Sequence, residues 1–199
     1  MADSTHSARQ RILDTAADLF FREGYRAVGI DTIIERSGVA KMTLYRHFSS
    51  KNELINAFIE QTIEQFWAWF EQATCKYPDS PRAQLVAIFE TLASIVVDPA
   101  FYGCSCLNAV VEFPELEHPV HQVALQFKQD LRDRFRDLGV QAGAQQPDIL
   151  ADQLLLLMNG ALMQGRMRSP TFSAHAVVQA AIALIDAQLE AQAVTAQSP

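Results

Sequence analysis

Apolar residues recur along most of the chain at intervals of three and four, the spacing of one face of an α-helix. From Ala8 to Glu23 they are Ile12, Leu13, Ala16, Ala17, Leu19 and Phe20, and Gly24 supplies a stop. Short helices are predicted over Asp31–Ser37, with Ile30, Ile33 and Ile34 apolar and Gly38 closing it, and over Lys41–Phe48. Ser49 or Ser50 can cap a long helix over Lys51–Cys75, whose first turn holds Asn52 and Glu53. At 1.5 Å per residue that helix reaches roughly 35 Å. The stretches YPDSP, DPAFYG, FPELEHP and VQAGAQQP break the pattern. Between and beyond them helices are expected over Pro81–Val97, Cys104–Glu112, Pro119–Leu138, Asp148–Arg168 and Ser173–Ala193, the last with a frayed tail. No segment alternates as a strand does and none repeats at a fixed period. The prediction is an all-α fold of about nine helices.

The second and third of these helices are separated only by the turn Ser37-Gly38-Val39-Ala40, which is the length and spacing of a helix-turn-helix. Gly38 can adopt the left-handed conformation that ends the first helix. Ile33, Val39, Leu44 and Phe48 would form the small core that fixes the crossing. Lys41, Met42, Thr43, Tyr45, Arg46 and His47 are then left on the outer face or N-terminal end of the second helix, the part that enters a DNA major groove. Lys51 opens the next helix, where backbone N–H groups and an ammonium together suit a phosphate. Charge agrees with this placement. Residues 1–52 carry eight Lys/Arg against six Asp/Glu, whereas residues 53–199 carry eight against seventeen, so a mildly basic front sits on an acidic body within a net charge of −7.

The stretch GVAKMTLYRHFSSKNEL resembles the TetR family pattern, a Gly-Val turn leading into a recognition helix that ends Leu-Tyr-x-His-Phe, then x-x-Lys-x-x-Leu. LFFREGYRAVGIDTII, upstream, is similar to that family's first helix and its run into the motif, so the specific match covers about residues 8–55. The resemblance implies a helix-turn-helix DNA-binding domain over residues 1–50 and a helical effector-binding and dimerisation domain over residues 51–199. It also implies phosphate contacts from Tyr45 and Lys51 with His47 beside the same backbone, and bases or flanking phosphates for Lys41, Met42 and Thr43. Three positions depart from the pattern. Val28-Gly29 stands where Ser or Thr usually precedes the first helix of the motif, Ala40 where Ser commonly caps the recognition helix, and Met42 where Gly is common. The missing serine cap corresponds to about 1 kcal/mol, and Met42 could touch a thymine methyl.

The same resemblance assigns the C-terminal helices a ligand pocket and a contact between two copies of the chain. LLLLMNGALM is apolar on nearly every side, and the last helix offers small and β-branched residues, so a dimer interface is expected at Leu154, Met158, Ala161, Leu162, Val178, Ala181, Ile182 and Ile185. Candidate pocket residues are Phe66, Trp67, Phe70, Phe89, Asn108, Phe113, Phe127, Met158 and Met163; without a convergence of Lys and Arg, a small apolar or aromatic effector is expected rather than an anionic one.

The remaining chemistry changes the picture little. Three cysteines, Cys75, Cys104 and Cys106, suit a reducing cytoplasm. Cys104 and Cys106 at a helix start admit an oxidant-sensing version of the same regulator, against the plainer reading of buried thiols. His118 and His121 lie near Glu112 and Glu115, but no third ligand has clear spacing, so no metal and no cofactor is expected. Gly103-Cys104-Ser105-Cys106 lacks the closing glycine of a nucleophile elbow, and no phosphate-binding loop, dinucleotide fingerprint or HExxH occurs. No catalytic residue is assigned. No apolar run reaches the roughly 18 residues a membrane helix needs. The reading is a cytoplasmic, homodimeric, ligand-responsive repressor acting on a near-palindromic double-stranded DNA operator.

Overall fold

Each predicted helix forms within a few residues of its expected bounds. The computed structural model describes the backbone of residues 7–168 and 170–195 and side chains up to residue 189. Its elements are α1 (Ala8–Glu23), α2 (Ile30–Ser37), α3 (Lys41–His47), α4 (Lys51–Thr74), α5 (Pro81–Val96), α6 (Ser105–Glu112), α7 (Pro119–Ala142), α8 (Pro147–Met167) and α9 (Ala174–Thr195), with no strand among the described residues. The expected tail beyond Thr195 lies outside the described residues. The largest difference in bounds is at α7, which passes Leu138. Gly139 stays helical, where even a Cβ would meet Leu150 and Pro147 at an ordinary 3.5 Å, and the chain turns instead at Gly143 (φ 82).

By contact the chain forms two compact units. One is the stretch ending at Glu64 together with Cys104–Gln126; the other is Gln65–Gly103 together with the stretch from Phe127 onward. The first unit is therefore larger than a helix-turn-helix of residues 1–50, since α6 and the first turns of α4 and α7 belong to it.

In the first unit α1 packs on α2 and α3. Its core is Ile12, Leu13, Ala16, Leu19 and Phe20 of α1, Ile33, Val39, Leu44 and Phe48 of the motif, and Leu54, Ile55, Phe58 and Ile59 of α4, all buried. Tyr25 joins them, with its ring centroid 5.3 Å from that of Phe20 and 6.1 Å from that of Phe113. Ser7 starts α1 by accepting the Gln10 N–H. Ser50 and Glu53 start α4: the serine hydroxyl accepts the Glu53 N–H at 3.1 Å, and the Glu53 carboxylate accepts both the amide and the hydroxyl of Ser49 at 2.6 Å. Those two bonds from Ser49 hold the Glu53 carboxyl below its ordinary range.

In the second unit α5 packs against α8 and α9, which also pack on each other. Leu85, Ile88, Phe89 and Leu92 of α5, Leu150, Leu154, Met158 and Leu162 of α8, and Val177, Ala181 and Ile185 of α9 fill the space between them. Arg82 reaches Asp186 through two parallel bonds of 2.7 and 2.8 Å, and Arg132 spans Asp152 and Asp148. The α5–α8 crossing is close enough that Gly165 lies directly under Val96.

Candidate nucleic-acid interface

The helix-turn-helix is built by a short list of local choices. Gly38 takes φ 64 and ψ 24, and its N–H donates to the Ile34 carbonyl at 3.1 Å, so α2 ends without a Cβ penalty and the chain reverses. Val39 then plugs the core, Leu44 is fully buried and Phe48 nearly so, and these three residues orient α3. The two departures at helix starts have the expected effect: Gly29 and Ala40 are the N-caps of α2 and α3, and neither makes a side-chain capping bond.

With Leu44 and Phe48 facing inward, the opposite side of α3 is open. Met42 is 83% exposed and Tyr45 43%, Lys41 and Arg46 are exposed, and Thr43 and His47 are half-buried. Lys41 pairs with Asp31 of α2 at 3.3 Å, a contact between two exposed groups that is worth little in water. These six residues thus lie on one short helix and share one face or its edges. Arg9, absent from the sequence-based candidates, stands over the Phe48 ring at 5.3 Å and brings a further cation to the turn after α3. The only sequence signal for it was an arginine in the first turn of α1, behind the Ser7 cap.

Lys51 is less open than its position suggested. It is half-buried, and its ammonium donates to the Arg26 carbonyl at 3.2 Å. Burial pushes its pKa down, while the nearby Glu112 carboxylate pulls the other way. Glu112 itself accepts the backbone N–H groups of Tyr25 at 2.9 Å and Arg26 at 2.7 Å, and no motif in the sequence signals this. The Tyr25 hydroxyl donates to the Ser105 carbonyl at 2.9 Å; burial above all, with Cys106, Cys104 and Glu112 nearby, raises its pKa well above the ordinary tyrosine range.

The candidate effector residues fall in both units. Asn108, half-buried, and Phe113, buried, belong to the first unit, where Phe113 stacks on His118 at 4.5 Å under the Arg26 guanidinium. In the second unit Phe66, Trp67, Phe70 and Phe127 come together, with Phe66 to Phe127 at 4.9 Å and Trp67 to Phe127 at 5.8 Å. Phe89 and Met158 are fully buried packing, and Met163 is 45% exposed, so it does not close a pocket over this cluster. Trp67 borders a cleft of about 350 Å³ with Asp130, Asp133, Arg134 and Asp137, and Phe70 borders one of about 320 Å³. Charged side chains make up most of the lining of the Trp67 cleft, and polar and charged ones most of that of the Phe70 cleft.

The expected dimer residues need a correction of face. Leu154, Met158, Ala181 and Ile185 have no exposed surface, and Ala161 and Leu162 are also buried, because α8 and α9 turn this side towards α5 and each other. Only Val178 and Ile182 remain half-buried. The outward apolar side of α8 is instead Leu156 at 71%, Met163 at 45% and Met167 at 64% exposed, beside a groove of about 570 Å³ whose walls include Gly160, Phe172 and Ala176.

Cys104 caps α6 half-buried, and the Cys106 sulfur is buried and receives the Ser105 hydroxyl at 3.9 Å. His118 accepts the Val120 N–H, and His121 Nδ1 lies 2.8 Å from the Phe113 carbonyl. No group of three or more His, Cys, Asp or Glu among the described residues is arranged to hold a metal ion, and no helix among them is long and apolar enough to cross a membrane.

Residues 12–58 match the sequence profile of a family described as bacterial regulatory proteins, tetR family. The crystal structure of a TetR-family transcriptional regulator from Streptomyces coelicolor superimposes with a TM-score of 0.87 at 32% identity, over 92% of this chain and 96% of that one. The transcriptional activator FasR of Mycolicibacterium smegmatis is 36% identical over 85 residues, and the matched part spans 41% of this chain and 39% of the activator. The repressor KstR2 of Rhodococcus jostii is 26% identical over 71% of this chain and 69% of its own length.

Proposed function

The chain belongs to the TetR family of DNA-binding transcriptional regulators, and on that premise we propose that it is a homodimeric repressor, released from a near-palindromic operator by a small apolar or aromatic effector. The observation that carries this reading is the open side of α3, where Lys41, Met42, Tyr45 and Arg46 stand exposed over buried Leu44 and Phe48. In this reading Lys41, Met42 and Thr43 face bases or flanking phosphates, and Tyr45, His47 and Lys51 hold the backbone, joined by Arg46 and by Arg9. Lys51 can serve although it is tethered, because an ammonium has three donors and the Arg26 carbonyl takes one.

Two copies are required to present two reading heads to two half-sites. The exposed apolar side of α8, with Leu156, Met163 and Met167, supports an isologous contact there. The aromatic group of Phe66, Trp67, Phe70 and Phe127 supports an aromatic effector in the second unit, with half-buried Trp67 bordering a cleft and buried Phe70 behind it.

The test is selection of duplexes from a random DNA pool by the full chain, followed by salt titration of the enriched sequence. Binding should weaken steeply with salt, and Lys51→Ala should reduce the slope of log K against log salt by about one unit per site. An enriched sequence with inverted half-sites is the expected result. Failure to enrich any sequence sinks the reading, and an unchanged slope in the variant removes Lys51 from the interface.

A further inference from the structure

Helix α6 lies outside the helix-turn-helix in sequence, yet it holds the turn Gly24-Tyr25-Arg26 at two points. At its C-terminal end the two oxygens of Glu112 each take one backbone N–H, from Tyr25 at 2.9 Å and from Arg26 at 2.7 Å. A carboxylate bound by successive amides in this way sits in a small anion nest. At the N-terminal end of the same helix the Ser105 carbonyl accepts the Tyr25 hydroxyl. Gly24 is required twice over: its φ is 90, and a Cβ there would come within 2.9 Å of the Glu112 Oε1 atom. The far side of the turn faces the reading head, since the Arg26 carbonyl receives the Lys51 ammonium at the start of α4.

The Arg26 side chain does not compensate Glu112. Its guanidinium lies over Phe113 at 5.2 Å and reaches Glu115 at 3.6 Å. The Glu112 carboxylate favours the charged form of Lys51, against the effect of burial.

We propose that Glu112 is a positioning residue for DNA binding: its carboxylate clamps the α1–α2 turn and, through the Arg26 carbonyl, holds Lys51 where a phosphate can be met. Glu112 touches no DNA in this arrangement. It acts through the turn, so α6 adds to operator affinity from outside the motif. The inference rests on the reading of α3 and Lys51 as the DNA-contacting face.

The test uses the full chain, the duplex enriched from the random pool, and amide hydrogen exchange. In Glu112→Ala, exchange at the Tyr25 and Arg26 amides should rise about tenfold or more while amides of α5 and α8 keep their protection. Affinity for the duplex should fall about tenfold, the equivalent of roughly one charge-assisted hydrogen bond. Glu112→Gln, which offers one acceptor oxygen instead of two and no charge, should fall between wild type and the alanine variant; it also stands in should the alanine variant not fold. Gly24→Ala attacks the same clamp from the other side, so its effect on affinity should shrink in the Glu112→Ala background to what the strain at φ 90 alone causes.

Unchanged exchange at the two amides overturns the proposal, as does wild-type affinity in both Glu112 variants. An affinity loss accompanied by general loss of protection through α1–α4 overturns it as well, because that outcome describes a destabilised core. A wild-type chain that binds no duplex would sink the DNA-binding reading, and the exchange data alone would then judge the clamp.

Discussion

Gly165→Ala should lower the melting temperature by about 2–8 °C while leaving DNA affinity at room temperature unchanged. A Cβ at this position would lie 2.7 Å from the Val96 carbonyl oxygen, 2.8 Å from the Val96 Cβ and 3.0 Å from Cε1 of Phe101. Real Cβ contacts are not that short, so something must move. The Phe101 ring can rotate away, but the other two atoms belong to the last turn of α5, where Val96 is 3% exposed. Truncating the Val96 side chain relieves nothing, because its carbonyl is the nearest atom. Overpacking of a closed contact costs about 1–3 kcal/mol, and replacing glycine within a helix returns up to about 1 kcal/mol. Taken at the middle of these ranges, the net loss of about 1–2 kcal/mol converts at roughly 2–4 °C per kcal/mol for a chain of this size. Thermal melting by circular dichroism, beside a duplex titration, measures both quantities. A melting temperature equal to or above that of wild type would show that α5 and α8 do not approach as closely as described.

Three further outcomes follow from other parts of the molecule. Ala40→Ser should stabilise by about 1 kcal/mol, because Ala40 already has N-cap geometry (φ −67, ψ 144) and lacks only an oxygen; an unaltered melting temperature and Thr43 amide exchange would refute it. The pKa of Tyr25 is raised in the folded chain, so its contribution is complete below the unfolded value of about 10 and is lost as pH rises above it. Urea midpoints should therefore fall between pH 9 and 11 more steeply in wild type than in Tyr25→Phe, and equal slopes would clear Tyr25 of that role. Leu156→Glu should convert a dimer to a folded monomer in sedimentation, because Leu156 is 71% exposed in the single chain, whereas Ile185→Glu should unfold it, because Ile185 has no exposed surface. A dimer that survives Leu156→Glu places the contact elsewhere.

The helices were legible because their ends are chemical: Gly24 and Gly38 at positive φ where helices stop, Ser80 with Pro81 at the start of α5, and the Ser50–Glu53 pair at the start of α4. The core of the motif was legible for the same reason, since a Gly turn and the spacing of Val39, Leu44 and Phe48 leave α3 one way to face. What periodicity could not supply was phase. In α8 the run LLLLMNGALM is apolar all round, so nothing in it distinguishes buried Leu154 and Met158 from exposed Leu156 and Met163. The stretch VQAGAQQP reads as a break, yet its first residues continue α7 to Ala142, because only Gly143 beyond them takes a positive φ. Glu112 was out of reach altogether: its partners are backbone amides 86 and 87 residues away, and backbone amides leave no mark in a sequence.

The discontinuity of the first unit bears on how the chain is made. Synthesis delivers α1 to α3 and the first turns of α4 first, but the unit is completed only when Cys104–Gln126 has emerged. Until then Tyr25 has neither the Ser105 carbonyl for its hydroxyl nor the Phe113 ring for its face. Residues 65–103 must be translated in between, which at about 5–20 residues per second leaves the nascent reading head without these contacts for several seconds. An amino-terminal fragment ending at Glu64 would remain in that condition permanently, with a phenol and a carboxylate-binding turn both lacking their partners. The sequence motif of the reading head is contiguous, but the compact unit that contains it is not.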